Sequence, residues 1–186
     1  MLRGTQGLVG LMFLLCFLGQ VAMTQTRDRD PLNEKEIDQM RESADYPDKR
    51  LELLINFARA RLTSIDQLRA NPKSATDRPM QIHDLLQDFS SLMDEIDDNV
   101  DMYGSHKTDM RKGLRLLLEA DSEWALKLRG LKEQSPPEEL EQYSFVLTNS
   151  IEAVNDDADT ARQELQKQNE LAKEKKLNKI YSERPD

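Results

Sequence analysis

The sequence contains very little cysteine. Cys16 is its one cysteine, and it lies in an N-terminal apolar run that we predict to be removed on export. The mature chain would then have no disulfide, no thiolate metal site, no thiol nucleophile and no covalent haem motif. The sequence also has no Asn-x-Ser/Thr glycosylation site, and an exported chain without disulfides or such sites favours a bacterial origin.

The two histidines, His83 and His106, are too far apart to bind one metal ion. The 23-residue separation is mostly predicted helix, which places them about 30 Å apart. Neither has a serine or cysteine at a spacing typical of catalysis, and phosphate-binding glycine loops and the GxSxG motif are missing. We therefore predict no catalytic residues, no cofactor-binding residues, no metal ligands and no cofactor, so the protein is not expected to be an enzyme.

The N-terminus has the pattern of a secretory signal. Arg3 is followed by an apolar run from Leu8 to Leu18, and small or uncharged residues follow Gln20. The run is shorter than the roughly 20 residues that span a bilayer. We predict a signal peptide at residues 1–24, one helical domain at residues 25–186, and a secreted or periplasmic location, with an uncleaved membrane anchor as the alternative.

Acidic residues outnumber basic ones. The chain has 35 Asp and Glu against 26 Lys and Arg, which gives a formal net charge of −9. Such a chain has no electrostatic reason to bind nucleic acid, so a nucleic-acid partner is not expected.

Glycine is also scarce, and alternating β-type patterns are absent. After the signal the only glycines are Gly104, Gly113 and Gly130, and apolar residues recur at intervals of three and four, which predicts helices. Caps and prolines place their ends. The predicted helices run from Asp30-Pro31 to about Ala44, from after the break at Tyr46-Pro47-Asp48 to Asn71-Pro72, from Pro79 to Gly104, from a Ser105 cap through Leu131, and from Ser135-Pro136-Pro137 to about Tyr181.

These helices predict an all-α fold, an antiparallel four-helix bundle with a short N-terminal helix and a long C-terminal helix. A solenoid is the alternative. The long helix would extend about 65 Å, against about 40 Å for its partners. Its overhang is basic, with Lys167, Lys173, Lys175, Lys176 and Lys179. We expect the acidic first helix to dock on it. Contact of these lysines with anionic lipid or an acidic partner, or with the helix dipole, is the alternative.

The segment DEIDDNVD, residues 94–101, is the most acidic in the chain. Asp94, Asp97, Asp98 and Asp101 lie along one flank of the third helix and form a candidate interaction surface. Like charges four residues apart destabilise a helix, so a compensating basic surface is expected. We predict that this acidic strip faces Lys107, Arg111 and Arg115 across a helical hairpin. A calcium loop would need a glycine turn, which the segment lacks.

Asp121 interrupts an apolar stripe. It lies between Leu117 and Trp124 on the face that should be buried, and burial of a lone carboxylate is costly. Counting from the turns places it opposite Arg61 or Thr63 on the second helix and Asn149 or Ser150 on the fifth. We therefore predict a buried polar layer of Asp121 and Arg61 that fixes the register of the bundle. A carboxylate that faces a ligand is the alternative.

Two segments carry a resemblance to known sequences. YPDKRLELLINFARARLTSIDQLRANP and MDEIDDNVDMYGSHKTDMRKGLRLLLEA resemble a group of short secreted helical proteins in acidobacterial genomes, over about residues 45 to 133. The resemblance implies bacterial export and nothing about chemistry.

The functional hypothesis is an exported, non-catalytic helical-bundle protein that binds another envelope protein or the envelope surface. The alternative is a periplasmic carrier of a small ligand or a metal, with its site in the bundle core near Asp121. Contact with a membrane is expected only through an uncleaved signal or through the basic C-terminal helix.

Overall fold

The computed structural model describes residues 30–74, 76–106 and 108–182, so the predicted signal peptide and Lys107 lie outside the described residues. Within these ranges the secondary structure is entirely helical, which confirms the all-α prediction. The helices are α1 (Glu34–Glu42), α2 (Pro47–Ala70), α3 (Arg78–Ser105), α4 (Arg111–Gln134) and α5 (Pro137–Ser182), with a 3-10 turn at Pro72–Ser74. None of the helices in the described ranges is both long enough and apolar enough to span a membrane.

Local sequence signals account for most helix ends. Proline occupies the first helical position of α2 and of α5, where its missing N–H costs nothing. Asn33 caps α1: its side chain accepts from the N–H of Glu36 at 3.1 Å, and the Glu36 carboxylate accepts from the N–H of Asn33 at 2.9 Å. The predicted start at Asp30-Pro31 is therefore three residues early.

The predicted start of the fourth helix at a Ser105 cap is also wrong. Ser105 does not cap α4 but is the last residue of α3, where its hydroxyl donates to the carbonyl of Met102 at 2.7 Å. The fourth helix begins at Arg111. The N–H of Met110, just before it, donates to the side chain of Gln168 at 2.8 Å, which fastens this connection to α5.

Each of the four long helices packs on two of the others. α2 packs against α3 and α4, and α5 packs against the same two helices. Early residues of α2 contact early residues of α4, and late residues contact late ones. Asp48 accepts from the N–H of Gly113 at 2.8 Å, and Asp66 binds Lys127 at 2.6 Å. These two helices therefore run parallel.

The same holds for α3 and α5. Ser90 of α3 bonds to Ser150 of α5 at 2.9 Å. Earlier in both helices, Arg78 of α3 binds Glu139 of α5, so the two contacts follow one another in the same order along α3 and α5. α2 and α3 run in opposite directions, since Arg50 near the start of α2 bonds to Asn99 near the end of α3. Although α3 and α4 are consecutive, they do not form a packed pair within the described chain, so the predicted α3–α4 hairpin is wrong.

The core contains the residues that the helical spacing predicts. Phe89 and Trp124 are fully buried and meet edge to face, with ring centroids 5.5 Å apart. Every residue of the predicted stripe on α2 is buried, as is every residue of the stripe on α4. The stripe on α2 is Leu51, Leu54, Ile55, Ala58, Leu62 and Ile65. The other stripe is Met110, just before α4, with Leu114, Leu117, Asp121, Trp124, Leu128 and Leu131 on α4.

The first helix docks on α2, not on the C-terminal overhang as predicted. Arg61 of α2 binds the carboxylate of Glu36 at 2.6 Å, and Arg50 donates to the carbonyl of Met40 at 3.1 Å. Burial alone would raise the pKa of Glu36, but the hydrogen bonds from Arg61 and Asn33 and the charge of Arg61 lower it overall. A desolvated, hydrogen-bonded pair of this kind outweighs attraction between exposed charges, which water screens.

Candidate functional site

Asp121 is buried as predicted, but Arg61 is not its partner. The side chain of Asp121 lies in the core with only 2% of its surface exposed. Arg61 instead binds Glu36 of α1 and lies 3.9 Å from Asp88 of α3. The predicted Asp121–Arg61 polar layer is therefore wrong. Counting residues from the turns estimates which residues lie at the same height along neighbouring helices. It does not give the direction in which the side chain of Arg61 points.

The groups that approach Asp121 are two other aspartates. Asp157 of α5 is completely buried, and its carboxyl group interacts directly with those of Asp121 on α4 and Asp97 on α3. The parallel register of α3 and α5 places Asp97 level with Asp157, as it places Ser90 level with Ser150. We call Asp97, Asp121 and Asp157 the carboxyl cluster.

The carboxyl cluster has almost no hydrogen-bond donors around it. Both carboxyl oxygens of Asp121, both of Asp157 and Oδ1 of Asp97 are buried without an N–H or hydroxyl partner in the described part of the chain. An unpaired carboxylate in such a place is expensive, so protonation is the accessible way to reduce the cost. Protonated carboxyls can also donate to one another, whereas three carboxylates can only repel.

The pKa values follow from this environment. Burial raises the pKa of Asp157 to about 10, helped by the negative charges of Asp121 and Asp97. Burial also raises the pKa of Asp121 to about 7, although hydrogen bonding to Asp157 and the charge of Arg162 oppose the rise. Burial also raises the pKa of Asp97, and the negative charges of Asp101, Asp94 and Asp98 raise it further.

Other buried polar groups in the core are paired, which sets the carboxyl cluster apart. Asn99 accepts from Arg50 at 2.6 Å and donates to the carbonyl of Glu95, and the hydroxyl of Ser150 donates to the carbonyl of Val146. The exception is Trp124, one turn beyond Asp121, whose indole N–H is buried without a partner. Unsatisfied polar atoms in the core thus concentrate around one level of α4.

The sequence analysis missed Asp157. It lies in the acidic run Asn155-Asp156-Asp157, which reads as solvated surface. The helical spacing did contain a signal, because Asp157 lies three residues after Val154 and four before Ala161, and both are buried. In the described residues no group of three His, Cys, Asp or Glu side chains is arranged to hold a metal ion.

The acidic strip does not form the surface that the sequence predicted. Asp94, Asp98 and Asp101 are exposed, but Asp97 turns into the core. Arg111 does not face the strip. It binds Asp109 at 2.6 Å, and this contact lowers the pKa of Asp109 to about 2. The predicted pairing with Arg111 is therefore wrong, because α3 and α4 are not neighbouring helices, and Lys107 lies outside the described residues.

The C-terminal end of α5 extends beyond the other long helices. Gln168 lies at the start of α4, and from position 173 to 179 every residue is exposed. Seven consecutive residues cover all sides of a helix, so the described chain buries no side of this part. We call residues 173–182 the α5 arm, which is about 15 Å long. Its exposed side chains include Lys173, Lys175 and Lys176, and Leu177 is 52% exposed.

Comparisons of the chain with protein-family models, with curated proteins and with solved structures found no match.

Proposed function

We propose that this chain is an exported, non-catalytic helical protein that binds another protein through the α5 arm. The observation that carries the proposal is the exposure of every residue from 173 to 179. A helical stretch whose residues 173–179 are all exposed gains little stability from tertiary contacts, and isolated short helices are marginal in water. A binding partner would supply the missing packing.

We infer that the four long helices form a four-helix bundle that presents this arm. The packed pairs α2–α3, α3–α5, α5–α4 and α4–α2 are those of a closed ring of four helices. Consecutive helices run antiparallel in this arrangement, while the neighbours α2–α4 and α3–α5 run parallel. The basic arm would then project from the end of the ring at which α4 begins.

Export is supported by the sequence alone. The apolar run at residues 8–18 follows Arg3 and precedes small residues, in the order of a secretory signal. The proposed partner is therefore another protein of the cell envelope.

The chemistry of the α5 arm favours an acidic partner with a short apolar groove. Leu177, Ile180 and Tyr181 are spaced i, i+3 and i+4, the spacing by which a helix inserts side chains into a groove. Lys173 lies four residues before Leu177 and Lys176 lies directly before it, and both would pair with acids at the rim of that groove. An interfacial membrane helix needs a larger apolar face than three residues, so a lipid surface fits less well.

Site-specific crosslinking in the native host tests the proposal. A photo-crosslinking amino acid replaces Leu177 in the full-length chain, and in a second variant it replaces Leu126 of α4, which is 72% exposed. Crosslinking from position 177 should capture one protein, and crosslinking from position 126 should not. The arm variant Lys173→Glu, Lys175→Glu, Lys176→Glu should lose the capture, because its charge would repel an acidic rim.

A matched variant distinguishes an effect of the arm lysines on capture from an effect of the changed net charge. Lys49→Glu, Lys73→Glu, Lys132→Glu changes three exposed lysines elsewhere and alters the net charge equally. It should keep the capture at position 177. Equal capture at both positions, or equal loss in both triple variants, would refute the proposal. Sedimentation of the purified protein with anionic phospholipid vesicles, lost in the arm variant alone, would assign the arm to lipid instead.

A carrier with its site in the core near Asp121 is the second candidate. The unpaired oxygens of Asp121 and Asp157 favour it, since a cation would neutralise them. The lack of a three-residue metal-binding arrangement in the described chain weighs against it. Native mass spectrometry of protein purified from its own compartment tests it, because a carrier should retain a bound mass there.

A further inference from the structure

The carboxyl cluster lies where three helices meet, and each helix contributes one acid. Asp97 comes from α3, Asp121 from α4 and Asp157 from α5, and the last two are at most 2% exposed. The remaining long helix, α2, contributes only apolar residues to the core. A change in the charge of the carboxyl cluster therefore acts directly on the contacts among α3, α4 and α5.

We propose that the carboxyl cluster is a proton-operated switch that holds α3, α4 and α5 together when it is protonated and loosens their packing when it loses protons. In the protonated state Asp157 can share protons with the carboxyls on either side of it. In the ionised state three negative charges face one another in the core, where water does not screen them.

The surrounding charges do not compensate an ionised cluster. The acids of α3 that act on Asp97 are Asp94, Asp98 and Asp101, and all three add negative charge. Arg162 of α5 is the cation that acts on Asp121. Its side chain is 60% exposed and binds Asp159 at 2.6 Å, so it offers the cluster only a screened and shared positive charge.

The sign of the pH dependence of stability follows from the raised pKa values of the carboxyl cluster. The folded chain binds protons that the unfolded chain releases, because the pKa of Asp121 rises from an ordinary value of 3.8 to about 7 and that of Asp157 to about 10. Stability from the carboxyl cluster is complete below pH 3.8 and falls as pH rises toward 7 and beyond. Glu36 and Asp109 have lowered pKa values and act oppositely, but only in acid, below their ordinary values of 4.5 and 3.8.

The experiment uses the single tryptophan as a local reporter. Trp124 is the only tryptophan in the sequence and lies one turn from Asp121. Urea unfolding of the full chain in EDTA is followed by its fluorescence from pH 5 to pH 9. The folding equilibrium constant should fall about tenfold per pH unit for each extra proton that the folded state holds. The emission of the folded protein should shift to the red as water reaches the loosened core.

Two variants identify the groups responsible. Asp157→Asn keeps the shape of the side chain but cannot ionise. Between pH 5 and pH 9 the folding equilibrium constant of this variant should therefore fall by a factor at least about tenfold smaller than that of the unchanged protein. Glu95→Gln removes an exposed acid of α3 whose charge does not act on the carboxyl cluster, and it should leave the slope unchanged. If Asp157→Asn does not fold, Asp121→Asn provides the same measurement.

Two outcomes would overturn the proposal. A stability that is flat or rising between pH 5 and pH 8 in EDTA means that the carboxyl cluster does not govern packing, as does an unchanged slope in Asp157→Asn. The series is repeated with Ca²⁺ and with Mn²⁺. Stability that rises with pH only when one of these ions is present would assign the carboxyl cluster to a cation instead of to protons.

Discussion

The carboxyl groups of Asp97 on α3 and Asp157 on α5 interact inside the protein, although 60 residues separate them and both helices run in the same direction. This contact depends on the parallel register of α3 and α5, which also joins Ser90 to Ser150. No N–H or hydroxyl donor in the described chain satisfies the two oxygens of Asp157. The core therefore contains an acidic contact of the kind that proteins normally place at sites of function.

Replacement of Arg61 should release α1 and destabilise the protein. In Arg61→Met the buried carboxylate of Glu36 loses its cation, so the free energy of unfolding should fall by about 3–5 kcal/mol. Amide exchange should then show loss of protection across Glu34–Glu42. The matched control is Arg59→Met, which removes an exposed pair with Glu123 and should cost about 0.2–1 kcal/mol. Equal effects of the two variants would contradict the buried-pair interpretation.

Asp121→Leu should stabilise the protein at pH 8. The substitution removes a buried group that has no N–H or hydroxyl partner, and apolar replacement of buried charges is often stabilising by about 1–4 kcal/mol. Because Asp121 and Arg61 do not touch, the double variant Asp121→Leu, Arg61→Met should equal the sum of the single variants within about 0.5 kcal/mol. Urea unfolding measures all three. A coupling of several kcal/mol would show that the two side chains interact after all.

Two glycines of α4 should respond to alanine in opposite directions. A Cβ at Gly113 would lie 3.0 Å from both Oδ1 of Asp48 and Cδ2 of the buried Leu51, so Gly113→Ala should destabilise by about 1–3 kcal/mol. At Gly130 the nearest atom would be 3.8 Å away, and Gly130→Ala should stabilise by about 0.5–1 kcal/mol because alanine favours the helix. Thermal unfolding distinguishes them. A stabilised Gly113→Ala variant would mean that α2 and α4 are less closely packed at this position.

Gln168→Ala should weaken the end of the molecule from which the α5 arm extends. The substitution leaves the buried N–H of Met110 without its acceptor, which costs about 1–3 kcal/mol. Gln166→Ala is the control, since Gln166 is exposed and its amide bonds only to Glu170 nearby. Chemical unfolding gives the difference in stability. Amide exchange at Arg111 and the residues after it should increase only in Gln168→Ala.

The sequence by itself determined the helices and their buried faces, because both depend on residues close in the chain. Proline at position 47 and at position 137 begins α2 and α5, and residues three and four apart share one side of a helix, so the stripe from Leu51 to Ile65 could be assigned to the core. The same periodicity marked Asp121 as buried. It would have marked Asp157 too, had the neighbouring acids not suggested a solvated surface.

Only the tertiary structure decided which helices are neighbours and which side chains meet. A short connection after Ser105 predicts that α3 and α4 pack together, yet both pack on α2 and α5 instead. That choice depends on how the buried surfaces of all four helices fit at once, which no local pattern contains. It turned Asp97 toward Asp157 instead of toward Arg111, and it left Arg61 to bind Glu36 on a helix predicted to dock elsewhere. Side-chain direction and register across helices are properties of the packed core, so the carboxyl cluster could be found only there.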